Sequence, residues 1–173
     1  MDQNIPPGTT PFCRRMVKVR SAEKPDAPAI AALVTLAYRV EEFFVDGDRT
    51  DASDVLQCLD RGEFLLLEDG ECLAGCVFVE RRGGRGYFGM LSIDPSRQRK
   101  GLGARLVSEA EAWCLRHGCR IIEIEVVNIR SELPPFYRKL GYVEEGSRPF
   151  PDVERCKLPC HFIVMTKRLD ART

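Results

Sequence analysis

The residues best suited to chemistry lie in one stretch, Arg97-Gln98-Arg99-Lys100-Gly101-Leu102-Gly103-Ala104, between a strand pattern and a helix pattern. The first N–H groups of a helix have no intrahelical partners, and the macrodipole puts partial positive charge there. Glycines at 101 and 103 let the backbone approach a bulky anion. Arg97, Arg99 and Lys100 add full positive charge. The combination suits a pyrophosphate. It is not the dinucleotide fingerprint, which needs a glycine two residues before Gly101, nor a Walker A loop, since no Lys-Ser/Thr pair follows Gly103. Taken alone, a glycine turn into an ordinary surface helix reads the same way. A second cluster, Cys156, Cys160 and His161, offers only three ligands at poor spacing for zinc, so no metal is expected.

The elements that must position this loop follow from periodicity. Tyr87 to Ile93 reads as a buried strand closed by Asp94-Pro95. The helix runs from Gly101 to His117, with Leu102, Leu106, Ala110, Trp113 and Cys114 on one face and Gly118 as its left-handed cap. Upstream, residues 1–15 with Pro6, Pro7 and Pro11 read as a flexible arm, leaving 16–173 as one domain. A strand starts at Met16. A helix capped by Asp26 reaches about Glu42, and a second spans Ser53 to Asp60. Phe64 to Glu68 and Cys72 to Glu80 form a hairpin about Asp69-Gly70, and Gly83-Gly84 turns the chain into Tyr87. Ile121 to Val127 is a strand with Ile122, Ile124 and Val126 on one side and Glu123 and Glu125 on the other. A short helix starts at Pro135 and ends at Gly141. Tyr142 to Glu145 and His161 to Leu169 are the last strands.

Two ordered motifs then carry a resemblance. Leu91, Ile93, Asp94, Pro95, Gln98, Gly101 and Gly103, followed by Phe136-Tyr137-Arg138-Lys139-Leu140-Gly141-Tyr142, resemble the signature segments of the GNAT superfamily of acetyl-CoA-dependent N-acetyltransferases. The match covers roughly Tyr87 to Gly146. It implies a mixed α/β fold: a mostly antiparallel twisted sheet of six to seven strands, flanked by about four helices and splayed at two adjacent parallel strands, Tyr87–Ile93 and Ile121–Val127. It implies acetyl-CoA as cosubstrate. The backbone of Leu91, Ser92 and Ile93 would meet the acetyl carbonyl and pantetheine, where an N–H aimed at the thioester oxygen stabilises developing charge by roughly 3–4 kcal/mol. Gln98, Arg99, Lys100, Gly101, Leu102, Gly103 and Ala104 would hold the pyrophosphate, and Asn128 and Pro135 would line the cofactor arm. Tyr137 matches the tyrosine that protonates the departing thiolate, although it can also pack like Phe136. The strand Glu that many relatives use as general base is missing from Tyr87 to Ser92. Glu80, Glu123, Glu125 or a water relay remain as substitutes.

The resemblance places the acceptor between the loop after the first helix and the last hairpin. Glu41, Glu42, Asp46, Asp48, Asp51 and Asp54 there suit a cationic amine, or form a solvated face. Arg49 among them, with Arg148 and Arg155, leaves a carboxylate-bearing substrate open. The expected function is direct acetyl transfer to a primary amine of a small molecule. A protein lysine or N-terminal acetyltransferase and a non-catalytic acyl-CoA-binding module are the alternatives. Across 173 residues, 26 Lys+Arg balance 26 Asp+Glu, which argues against nucleic acid as a partner. No apolar run is long enough for a membrane span. Eight cysteines without a Cys-x-x-Cys pair or an export signal read as reduced thiols in a cytoplasmic protein. Exposed strand edges and the Phe43-Phe44 pair admit a homodimer.

Overall fold

The computed structural model describes residues 17–151 and 153–170; the expected N-terminal arm lies outside them. Seven strands form one sheet: β1 Val17–Ser21, β2 Glu63–Asp69, β3 Cys72–Arg82, β4 Arg85–Ile93, β5 Ile121–Val127, β6 Val143–Pro149 and β7 His161–Arg168. Their order is β1-β2-β3-β4-β5-β7-β6. Every neighbouring pair is antiparallel except β4–β5. Four α-helices accompany them among the described residues: α1 Ala27–Tyr38, α2 Ala52–Leu59, α3 Leu102–Arg116 and α4 Leu133–Lys139.

Alternation along the central strands feeds two cores. Phe64, Leu66, Cys76 and Phe78 pack beneath α1 and α2 with Ile30, Val34 and Val55. Leu65, Leu67, Val77, Val79, Phe88, Ile122, Ile124 and Val126 pack on the other face with Leu106, Val107, Ala110 and Trp113 of α3. Each fully buried large apolar side chain contributes roughly 1.5–3 kcal/mol, so both sheet faces are committed to packing. The apolar face expected of the α3 segment is the buried one, and Gly118 follows it at φ 78°.

Some boundaries differ from the sequence reading for local reasons. α1 ends at Tyr38 and passes into a 3₁₀ turn over Arg39–Glu41 instead of continuing to Glu42. α4 begins at Leu133, two residues before the expected start at Pro135. Pro134 and Pro135 then occupy the first turn, where the N–H that proline lacks has no helical partner. The hairpin at Gly83-Gly84 is tighter than expected. Both glycines have positive φ (54° and 89°), so β3 and β4 run up to a two-residue turn. Phe43 is exposed, whereas Phe44 is fully buried against Val127 and Phe150, so the pair does not present two rings to a partner.

The sheet opens beside a bulge in β4. On β3–β4, Cys76 faces Ser92 and Phe78 faces Gly89, so Val77 stands opposite the extra residues Met90 and Leu91. Met90 takes φ 51°, and Ser92 Oγ donates to its carbonyl at 3.1 Å. On its other edge β4 pairs with β5 only at Gly86↔Ile122 and Tyr87↔Glu123, so the two strands have already parted where the bulge lies.

Candidate functional site

The gap between the diverging strands continues on the α3–α4 side into a cleft of about 390 Å³. It is lined by Leu91 and Ile93 of β4, by Gln98, Arg99, Gly101, Leu102, Gly103 and Ala104, and by Arg130, Leu133, Phe136 and Tyr137. Arg99 and Gly101 both have positive φ (62° and 76°), and Gly101 caps α3 without any side-chain hydrogen bond to the first turn. The first amides of α3 therefore lack a side-chain cap, next to two left-handed residues in a basic loop, an arrangement suited to seating an anion. A Cβ on Gly103 would sit 3.8 Å from Phe136 Cζ and 4.0 Å from Ile93 Cγ1, so no protein atom crowds this backbone. Gln98 reaches back to the Ile93 carbonyl at 3.3 Å. Arg97 is tied to Asp69 and does not line the cleft. The seat and the apolar wall of Leu91, Ile93 and Phe136 match a ligand with an anionic head and a long uncharged arm.

Tyr137 stands where this cleft meets the open strands, lining both. Its ring packs on Phe136 (5.0 Å between centroids), Tyr142 (5.8 Å) and Phe88 (6.0 Å). Its hydroxyl has no hydrogen-bond partner among the described residues, and burial pushes its pKa well above the ordinary tyrosine value. It is a protonated donor with nothing to donate to inside the protein.

The carboxylates singled out from the sequence are divided by the fold. Glu80 lies opposite Tyr87, at the paired end of β4, bonded to Arg82 at 2.6 Å with Arg61 at 3.8 Å. Glu123 pairs with Arg148 at 2.7 Å and Arg85 at 3.4 Å. Neither lines the gap. Glu125 does, two residues further along β5 where β4 has already left; Arg148 holds it at 2.7 Å. Asn128 is engaged elsewhere: its Oδ1 accepts the His161 N–H at 2.9 Å, stitching β5 to β7, while Arg130 lines the cleft. Pro135 does not line the cleft either, unlike Leu133 and Phe136 of the same helix.

One acid with a larger part than the sequence suggested is Glu41. It lines the cleft, the strand gap and a vestibule beyond it. Burial raises its pKa, partly offset by Arg49 and Arg130, and Arg130 Nη1 is bonded to it at 3.0 Å. A 3₁₀ turn with no motif of its own delivers it. The gap and the vestibule are small, about 60 and 30 Å³, and share Tyr38, Glu41, Arg49 and Phe150. Their outer wall is a strap: Val45 bridges to Cys156, Asp46 N–H donates to the Arg155 carbonyl (2.9 Å), and Lys157 N–H donates to the Phe44 carbonyl (2.7 Å). Cys156 and Cys160 bring their sulfurs within 3.2 Å, and among the described residues no group of His, Cys, Asp or Glu could hold a metal ion. No described helix is long and apolar enough to cross a membrane.

The sequence model of a family described as the acetyltransferase (GNAT) family matches residues 30–142. No curated protein matches the chain by sequence. Solved structures are similar in fold at low identity. The ribosomal-protein-S18-alanine N-acetyltransferase of Escherichia coli superposes with a TM-score of 0.74 at 18% identity, covering 91% of this chain and 97% of that one. YncA of Salmonella typhimurium, a putative acetyltransferase with its cofactor acetyl-CoA, gives 0.70 at 19%, covering 91% and 96%. Ard1 of Thermoplasma volcanium gives 0.74 at 13%, covering 90% and 99%.

Proposed function

The chain belongs to the GNAT family of acetyltransferases, and from that premise we propose that it transfers an acetyl group from acetyl-CoA directly to the primary amine of a small molecule. The observation that carries this reading is the position of Tyr137. Its unbonded hydroxyl lies where a cleft with an anion seat opens into a gap lined by a carboxylate.

Acetyl-CoA supplies an acetyl group activated as a thioester, with a thiolate as leaving group. The chain's own residues do the rest. The first amides of α3, with Arg99, Lys100 and Gly101, bind the pyrophosphate. Leu91 and Ile93 face the pantetheine arm, and the bulged backbone of β4 offers N–H groups to the carbonyl oxygen. Arg130, held by Glu41, adds positive charge to the cleft wall. Glu125 takes a proton from the acceptor ammonium, directly or through one water, which frees the nitrogen lone pair. The new bond joins nitrogen to carbonyl carbon, and the carbon–sulfur bond breaks. Tyr137 gives its proton to the departing sulfur, and the amine's second proton leaves with solvent. The raised pKa of Tyr137 keeps the donor loaded. The same lack of solvent disfavours a free thiolate, so the transfer remains matched.

A small acceptor is supported by the enclosed vestibule and its strap, which leave little width for a folded partner. A peptide amino terminus is the second reading, favoured by the similarity in fold to the E. coli ribosomal-protein-alanine acetyltransferase. The test is calorimetric titration with acetyl-CoA, followed by thiol detection of CoA release with small amines and with peptides. Binding together with release that depends on a small amine is the expected result. Release that requires peptides would replace the first reading by the second, and absence of acetyl-CoA binding would refute both.

A further inference from the structure

The vestibule is lined by carboxylates as well as cations, Glu42 and Asp48 among them, but in the strand gap every charge except one is matched by a neighbour among the described residues. Glu125 is matched by Arg148 at 2.7 Å. Glu41 is matched by Arg130 at 3.0 Å. Arg49 lines both the strand gap and the vestibule and has neither an ion pair nor a hydrogen bond among the described residues. It feels Glu41 at longer range, but that carboxylate already accepts from Arg130. Of the other cations bordering the vestibule, Arg155 is spent, donating from Nε to the Asp46 carbonyl and from Nη2 to the Asp48 carbonyl, each at 2.8 Å, and Arg39 does not reach the gap.

Arg49 is also held in place. Its guanidinium carbon lies 5.3 Å from the centre of the Tyr38 ring. Thr50 next to it is buried, and its carbonyl accepts from Thr35 Oγ1 at 3.4 Å. Asp51 then caps α2 through the Asp54 N–H at 2.9 Å. The backbone on either side is anchored, and a cation–π contact with Tyr38 uses none of the guanidinium's N–H groups, which stay available to a planar acceptor.

We propose that Arg49 binds a carboxylate on the acceptor, so that the substrates are amino acids or similar small amines carrying a carboxylate a few bonds from the nitrogen. This deepens the acetyltransferase reading and rests on it. A zwitterion meets opposite charges at its two ends: Arg49 at the carboxylate, and Glu125 at the ammonium in the same gap. A guanidinium–carboxylate contact is bidentate and charge-assisted, so it fixes the direction in which the nitrogen points as well as adding affinity. Polyamines and lysine side chains within proteins bring no such group, and they would leave Arg49 facing an added cation.

The test is a panel of free amino acids, each beside its own amide and the amine lacking the carboxylate, with kcat/KM read by CoA release. Wild type, Arg49→Gln and Arg49→Lys are compared, with acetyl-CoA affinity measured on each by calorimetry. The expected result is a preference for an acid over its amide of roughly 10- to 100-fold, the range for a hydrogen bond to a charged group. Arg49→Gln should bring that ratio near one, mainly through KM, and Arg49→Lys should restore part of it. Equal use of acid and amide by the wild type would overturn the proposal, as would a preference that survives Arg49→Gln. Turnover only with amines or peptides that lack a nearby carboxylate would overturn it while leaving acetyl transfer standing, as would acetyl-CoA binding without turnover anywhere on the panel. Failure to bind acetyl-CoA would instead remove the underlying reading.

Discussion

Tyr137→Phe removes one oxygen and keeps the ring that packs on Phe88, Phe136 and Tyr142. Tyr137 is only 7% exposed, and its hydroxyl has no partner among the described residues. The oxygen is not one of the fully enclosed polar atoms that lack a partner, and it borders the cleft and the gap, where water can bond to it. The variant is therefore expected to match wild type in stability to within about 1 kcal/mol, or about 2–4 °C in Tm. Turnover should fall. A positioned general acid contributes roughly 10²–10⁴-fold, or about 2.7–5.5 kcal/mol of barrier. Three readings on one preparation separate the effects: thermal melting, acetyl-CoA affinity by calorimetry, and kcat by thiol detection with acceptor saturating. Loss of kcat with Tm and affinity retained is the expected pattern. A kcat within a factor of about three of wild type, under 1 kcal/mol on the barrier, would refute the argument that Tyr137 supplies the proton. So would a loss of kcat matched by a loss of acetyl-CoA affinity, since Tyr137 would then be only a wall of the cleft.

Two further predictions concern the frame that holds the site. At Gly86 a Cβ would collide with Cys114 Sγ and lie 2.9 Å from Cys114 Cβ, where α3 crosses β4 beside the first β4–β5 pair. Gly86→Ala should cost about 1–3 kcal/mol as an overpacked contact and lower Tm by several degrees; a variant melting with wild type would show that α3 is not seated as described. At the entry to α1, Asp26 accepts from Arg20 Nη1 at 2.7 Å and Nη2 at 2.9 Å, and these bonds lower its pKa. The stability this pair adds is present above the ordinary carboxylate pKa and lost as pH falls through the depressed value of the folded state. Asp26→Asn should be destabilised by roughly 0.5–1 kcal/mol at neutral pH. In urea unfolding, the gap to wild type should close below about pH 4. A gap that widens in acid would contradict the sign.

Much of the frame was legible because its signals are local. The 3.6-residue spacing of Leu106, Ala110 and Trp113 marks a buried helix face, and the two glycine-bearing hairpins mark β2–β3–β4, whatever the rest of the chain does. The basic glycine loop proposed to seat an anion was equally legible, since its residues, 98–104, are consecutive. The bulge was not. Met90 adopts a left-handed φ without being glycine or asparagine, because pairing of Cys76 with Ser92 and of Phe78 with Gly89 leaves it no other course. That conformation is imposed by tertiary structure, and composition at position 90 carries no trace of it.

The carboxylates near the gap meet the same limit at the level of the site. Alternation along a strand correctly sends Glu123 and Glu125 to one side of the sheet, but it cannot rank them. Their roles separate only because β4 stays with β5 at Tyr87↔Glu123 and has left two residues later. Glu123 therefore faces arginines of β4 and β6 away from the gap, while Glu125, which shares Arg148 with it, borders the gap. Glu41 was visible only as a member of an acidic run, a pattern that a solvated surface also produces, and Arg49 only as the cation in that run, one of three arginines open to a carboxylate. What distinguishes them is the partner each already has: Arg130 satisfies Glu41, and no described side chain pairs with Arg49. Chemistry at the cofactor end is written along the chain, whereas chemistry at the acceptor end is a difference between charges brought together from three segments. Specificity in this protein should accordingly shift with single substitutions in the 39–49 segment and the strap, without disturbing the seat at the start of α3.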